Sequence, residues 1–191
     1  MWSRVIFLLG VIGFMVSCTT TKNVQQESIK LPVAELSAVK LDVPFKKQDR
    51  NGCGPTALHL LLQFHGLVVP YEKVYQMVYT ENLEATHTFD MISALRRFGL
   101  EPERIHNIEE LFFTLQSGRP VLTLRHLQSL WEDRWHYDLT VGFEEQGQVI
   151  LVHTGEKAFA KIALEDFVET WQASDFWGLA AMEEDTVWVN M

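Results

Sequence analysis

The chain changes its period at Pro120. Ahead of it, apolar residues recur three and four apart; behind it they alternate and β-branched residues accumulate. In CGPTALHLLLQFHG, Ala57, Leu58, Leu61, Leu62 and Phe64 share one helical face, with Pro55 suited to a first turn and Gly66 to the end. Further helices are expected in PYEKVYQMVYT from Pro70, in TFDMISALRRFG capped by Thr88 and closed by Gly99, and in IEELFFTLQSG after Asn107. Beyond Pro120, VLTLRHL, WHYDLTVGF, VILVHTG and AFAKIAL read as strands, with EEQGQ as a polar turn; a helix EDFVETWQAS and a strand FWGLAAM follow. Helices first and meandering strands afterwards imply an α+β fold, an N-terminal helical layer packed on one antiparallel sheet.

Charge narrows the choice of partner. The 191 residues hold 16 Lys+Arg against 25 Asp+Glu, for a net charge of -9, and no basic run. That excludes nucleic acid as a leading partner. The two cysteines, Cys18 and Cys53, cannot build a scaffold of several disulfides, and no CxxC or HExxH spacing offers a zinc site.

The apolar run from Val5 to Val16, preceded by Arg4, is shorter than the ~20 residues of a spanning helix and reads as an export signal over residues 1–17. Its end, MVSC before TTTKN, resembles the lipobox of bacterial lipoproteins, which implies lipidation of Cys18 after cleavage; an ordinary secretory signal is the alternative. Thr19 in place of Asp then favours the outer membrane, facing the periplasm. Residues 18–43 are polar, contain Pro32 and suit a tether, leaving 44–191 as the domain.

With Cys18 assigned to lipid, Cys53 is an unpaired thiol in an exported protein, exposed to oxidation. Gly52 and Gly54 flank it, and the helix that follows puts its sulfur at a helix N-terminus, where the dipole favours thiolate. Gln48, five residues upstream, could supply a side-chain N–H that joins the Cys53 backbone N–H around a developing oxyanion. His136 opens a strand of the sheet that the Cys53 helix should cover, and it is the candidate base; His126, also at a strand end, competes with it.

PFKKQDRNGCGPTALHLLLQFHG, GRPVLTL and WHYDLTVGF together resemble the peptidase C39-like family, bacterial cysteine peptidases of papain-like fold. The resemblance implies Cys53 as nucleophile, His136 as base and Gln48 in the oxyanion hole, a peptide or protein substrate, and no metal or organic cofactor. No GxxxxGK[ST] segment is present, so an ATP-driven exporter is not expected. The family's usual Asp after the histidine strand is missing from VILVHTGEKAF. If EEQGQ turns the hairpin, His153, Thr154 and Glu156 come near His136, and the family pattern favours His153 as third member; Asp138 and Glu156 are the remaining carboxylates.

His59 and His65 read as packing or surface residues, His87 and His106 as solvated. Trp131, Trp135 and Tyr137 could line a peptide groove or the core, and Trp171, Phe176 and Trp177 read as core. The function expected is a membrane-anchored periplasmic cysteine peptidase working through a Cys53 thioester. The alternatives are a catalytically weak or inactive C39-like module that binds a peptide or envelope partner, and a thiol-dependent acyltransferase or amidase.

Overall fold

The computed structural model describes residues 36–48, 52–128 and 133–183. The expected signal, Cys18, most of the tether and Trp131 lie outside the described residues.

Helix α1 (Cys53–Phe64) is apolar nearly all round and buries every residue from Gly54 to Leu62, the signature of a central helix. α2 (Tyr71–Val78) and α3 (Thr88–Arg97) are one-sided, burying Val74 and Val78, and Met91, Ala94 and Leu95. Thr88 begins α3 instead of capping it, and His87 stands at the N-cap without a side-chain bond. α4 (Ile108–Gln116) is capped by Asn107, whose side chain accepts from the Glu110 N–H at 2.8 Å while the Glu110 carboxylate returns to the His106 N–H at 2.7 Å. This is a reciprocal cap of the capping-box kind.

The strands are β1 (Val39–Lys40), β2 (Tyr79–Thr80), β3 (Ala85–Thr86), β4 (Leu100–Ile105), β5 (Val121–Gln128), β6 (Asp133–Glu144), β7 (Val149–Thr154), β8 (Lys157–Ala163) and β9 (Gly178–Glu183), with α5 (Leu164–Gln172) between the last two. The main sheet runs β4-β9-β5-β6-β7-β8, every pair antiparallel, and β1 joins β6 past the end of β5; β2 and β3 form a separate hairpin. The α+β expectation holds, with two additions. β4 contains Pro102 and was not expected as a strand; among the described residues it lies at the edge of the sheet beside β9, the position where a strand proline is tolerated. β1 belongs to the segment expected as tether, and Val43 behind it is buried. Gly142 makes β1 possible, because a Cβ there would lie 2.0 Å from the Val39 carbonyl oxygen.

Period-two alternation gives the sheet two buried faces. Leu122, Leu139, Leu151 and Leu179 meet α1, α2 and α3, while Val121, Ile150, Val152 and Ala180 meet α4 and α5. Helices therefore cover both faces, where the sequence had suggested one. Trp171 is in the second core, as expected, and Phe176 packs against it.

Candidate active site

Cys53 is the first residue of α1, half-buried and free of a disulfide. It opens into a cleft of about 740 Å3 whose walls include Thr86, Leu124, Arg134, Trp135, Tyr137 and Trp177. Gly54 is needed for a reason other than substrate approach: a Cβ there would strike the Thr86 side chain at 2.6 Å, so the β2–β3 hairpin closes against the head of α1. Trp135 is 51% exposed at the cleft, while Tyr137 and Trp177 are buried behind it in edge-on contact, Trp177 thus serving core and wall together.

His136 is 3% exposed on β6 and interacts with the Cys53 thiol. Burial alone would raise the thiol pKa. The His136 hydrogen bond and charge, together with the backbone N–H groups of Tyr137 and Gly54, outweigh it and pull Cys53 below the ordinary thiol range. For His136, burial works against the charged ring, but Asp138 and the Cys53 thiolate overcome it and push the pKa up to about 9. Both shifts favour one state, a thiolate beside an imidazolium.

Asp138 stands two residues along the same strand and so on the same face as His136. Its Oδ1 lies 3.1 Å from His136 Nε2, and it is wholly buried. Nε2 is also 2.8 Å from Thr154 Oγ1. The ion-pair distance to Oδ1 lies off the N–H direction, which leaves Oδ1 without a hydrogen bond while Thr154 takes the in-line position. We weigh the charge contact as the stronger influence on the ring, since a carboxylate stabilises imidazolium and a hydroxyl does not. Burial raises the Asp138 pKa, yet His136, Arg125 and the Thr154 hydroxyl hold it below the usual carboxylate range.

The structure does not bring His153 to the imidazole, which corrects the expectation that it would be the third member. In the β6–β7 register His153 faces Leu139, one position off, and a one-residue offset turns a side chain to the other face of the sheet. Its Nε2 meets the Val43 carbonyl at 3.0 Å and its Nδ1 accepts the Phe159 N–H at 3.1 Å, with Phe45 and Phe159 packed edge-on to the ring. Thr154 occupies the place beside His136 instead. Glu156 is exposed and pairs with Lys47.

Gln48 is tied to the same corner. Its backbone N–H donates to the Gly155 carbonyl at 2.9 Å, and its Oε1 accepts the Gly155 N–H at 3.0 Å. Nε2 is therefore the end not bonded to Gly155, the donor end an oxyanion needs. Gly155 follows Thr154, so Gln48 and His136 are braced on one turn. On the open side, Arg134 Nη1 is 3.2 Å from His136 Nδ1; it can donate there only to the neutral ring, and not to the imidazolium of the ion pair.

His126 bonds Asp133 at 2.7 Å and stacks on Trp135, while the ring beside the Cys53 thiol is that of His136. His59 is buried against the Val69 carbonyl and the Tyr71 ring, and His65 packs on Phe64. His87 and His106 are both exposed as expected, His87 at the wall of the cleft. Among the described residues no group of His, Cys, Asp and Glu side chains is arranged to hold a metal ion. Sequence reasoning missed Arg125, which grips Asp138; a charged residue inside the alternating run VLTLRHL was the available signal.

Solved structures share this fold. A C39-like peptidase from Bacillus anthracis aligns with a TM-score of 0.63 at 17% identity, over 78% of this chain and 98% of its own. The double glycine motif protease of an AMS/PCAT transporter, solved in complex with the leader peptide, aligns with a TM-score of 0.58 at 18% identity, over 78% and 100%. The peptidase domain of Streptococcus ComA, a bifunctional ABC transporter of a quorum-sensing pathway, gives 0.55 at 17%, over 78% and 97%. A comparison with curated proteins returned no significant match. The sequence model of one family matches residues 42–175, most of the chain. By that match, the chain belongs to the peptidase C39 family.

Proposed function

We propose that this protein is a cysteine peptidase in which Cys53 is the nucleophile, His136 the acid and base, Asp138 the group that orients and charges His136, and Gln48 an oxyanion donor. The observation that carries the proposal is a thiol at a helix head, in a cleft, beside an imidazole that is itself held by a buried carboxylate. In the first step the Cys53 thiolate attacks the scissile carbonyl carbon and an S–C bond forms. The oxygen gains negative charge opposite the Cys53 backbone N–H and Gln48 Nε2. On collapse the C–N bond breaks and the imidazolium gives its proton to the departing amine, leaving a thioester and neutral His136. Water, deprotonated by His136, then attacks the thioester; the acid leaves and the thiolate–imidazolium pair is restored.

A peptide fits the cleft's size and its exposed Trp135, and a relative of the same fold has been solved with a leader peptide. The inactive-module reading rested on a missing carboxylate, and Asp138 supplies one. The sequence features around Cys18 further support a lipid-anchored, periplasm-facing enzyme. The test is incubation of the full chain with a peptide library and mass spectrometry of new termini. Native protein should generate them and Cys53→Ala should not; equal cleavage by both would refute the proposal.

A further inference from the structure

Arg125 is 5% exposed in the middle of β5, directly opposite His136 in the β5–β6 register. Cross-strand partners share a face, so its guanidinium rises on the side that carries His136 and Asp138. Nε donates to Asp138 Oδ2 at 2.6 Å, and Nη2 lies at 2.6 Å from the same oxygen. Nη1 donates to Thr170 Oγ1 on α5 at 3.2 Å, and the guanidinium lies 5.6 Å from the Phe167 ring centroid. Every branch of the fork is thus engaged, and the fork cannot rotate without breaking a contact to a second element.

This arrangement divides the carboxylate between two neighbours. Oδ2 is taken by Arg125, and Oδ1 is left turned toward His136 Nε2. A carboxyl group buried as deeply as Asp138 would take up a proton without a cation beside it, and a neutral acid would no longer stabilise the imidazolium. The groups with charge or titratable protons around the ring are Cys53 from α1, Arg125 from β5, and Arg134 and Asp138 from β6; Thr154 on β7 and Thr170 on α5 add hydroxyls. Arg125 is the cation whose contact runs through Asp138.

We propose that Arg125 is a positioning residue of the active site: by gripping Oδ2 from β5 and anchoring itself on Thr170 of α5, it keeps Asp138 ionised and presents Oδ1 to His136. The proposal rests on the role given to Asp138 above. It differs from a purely structural ion pair in what it says about Cys53. A structural pair sets stability alone, whereas a positioning residue also sets the pH at which the thiol becomes reactive.

The test compares native full-length protein with Arg125→Gln, Arg125→Lys and Asp138→Asn, recording iodoacetamide alkylation of Cys53 from pH 5 to pH 10 together with thermal unfolding. Alkylation is read on the Cys53 peptide by mass spectrometry, which separates it from Cys18. Arg125→Gln should move the alkylation profile about one pH unit toward alkaline, a loss of about 10-fold on its acid limb, and the profile should approach that of Asp138→Asn. Arg125→Lys keeps the charge but loses the two-pronged hold on Oδ2, and should fall between native and Asp138→Asn. Adding Arg125→Gln to Asp138→Asn should slow the reaction no further, since both act through one carboxylate. If Asp138→Asn is shifted while Arg125→Gln keeps the native profile, Arg125 is structural and the inference fails. Should Arg125→Gln not fold, a native profile in Arg125→Lys overturns it equally. An unshifted Asp138→Asn overturns the role given to Asp138, and the inference with it.

Discussion

Asp138 lies 3.1 Å from His136 although only Tyr137 separates them in the chain. The imidazole proposed as base and its carboxylate are thus supplied by one strand, with Thr154 of the neighbouring strand closing over the same ring nitrogen. Replacing Asp138 by Asn keeps the shape and removes the charge. The His136 pKa should fall from about 9 toward its ordinary value, and turnover should drop ~10²-fold or more, within the range of positioned acid–base catalysis. Asp138→Asn also leaves Arg125 buried without its counter-charge, so thermal unfolding has to be recorded beside kinetics.

The pH–rate profile should carry a high alkaline limb. The raised pKa of His136 means that its proton, needed by the leaving amine, persists up to about pH 9. Activity should rise on the acid side as Cys53 ionises, below the ordinary thiol range, and fall as pH climbs through about 9. For stability the sign is the same: a His whose folded pKa is raised contributes fully below its unfolded value near 6.5 and loses that contribution through about 9. Measuring kcat/KM and urea midpoints across pH 5–10 checks both; a profile that falls already near pH 6.5 would contradict the ion pair.

His153 should behave as a packing residue. His153→Ala orphans the part-buried Phe159 N–H and the buried Val43 carbonyl, a loss of ~1–3 kcal/mol in stability. It should leave the pH dependence of Cys53 alkylation unchanged. His153→Asp should not improve catalysis, because the new carboxylate would face Phe45 and Phe159 and not the imidazole. A shifted alkylation profile in His153→Ala would return it to the site.

The helix–strand order, the α+β class and the Cys53 helix were legible because each rests on periodicity and local punctuation. His136 could be picked from its setting in WHYDLTVGF. The third group could not be fixed, because a strand's register decides which of His153 and Thr154 faces the ring, and register depends on the turn and on the Thr140–Gly142 bulge. The i, i+2 pairing of His136 and Asp138 was visible in HYD, and both fall inside the strand expected from Trp135, but the family pattern pointed to the strand that follows it. β1 went unseen because two residues make no pattern; the fit of Val39 against Gly142 is a long-range contact.

Gln48 is pinned to Gly155 through its backbone and its Oε1. Gln48→Ala should lower kcat by ~10²- to 10³-fold, the usual loss for one oxyanion donor, with little change in KM. Steady-state kinetics on a cleaved library peptide provide the test. Undiminished kcat would remove Gln48 from the oxyanion site.

The anchoring proposed for Cys18 should be separable from the chemistry proposed for Cys53. Cys18→Ser should abolish lipidation and leave the protein out of the membrane fraction in its processed form, while Cys53 alkylation stays at the native rate. Fractionation and mass analysis of the mature N-terminus give the answer, and an unmodified Cys18 in native protein would contradict the anchor.

The most direct measurement of the central claim is the rate at which Cys53 reacts with iodoacetamide at pH 6, in native protein and in His136→Ala. An ordinary thiol, with pKa near 8.5, is well under about 1% ionised at that pH. Paired with imidazolium, Cys53 should carry more thiolate at that pH and react faster than in His136→Ala, about 10-fold for each pKa unit between them, the gain being reduced by the weaker nucleophilicity of a low-pKa thiolate. Equal rates in the two proteins at pH 6, both rising together only near pH 8.5, would show that His136 does not activate Cys53.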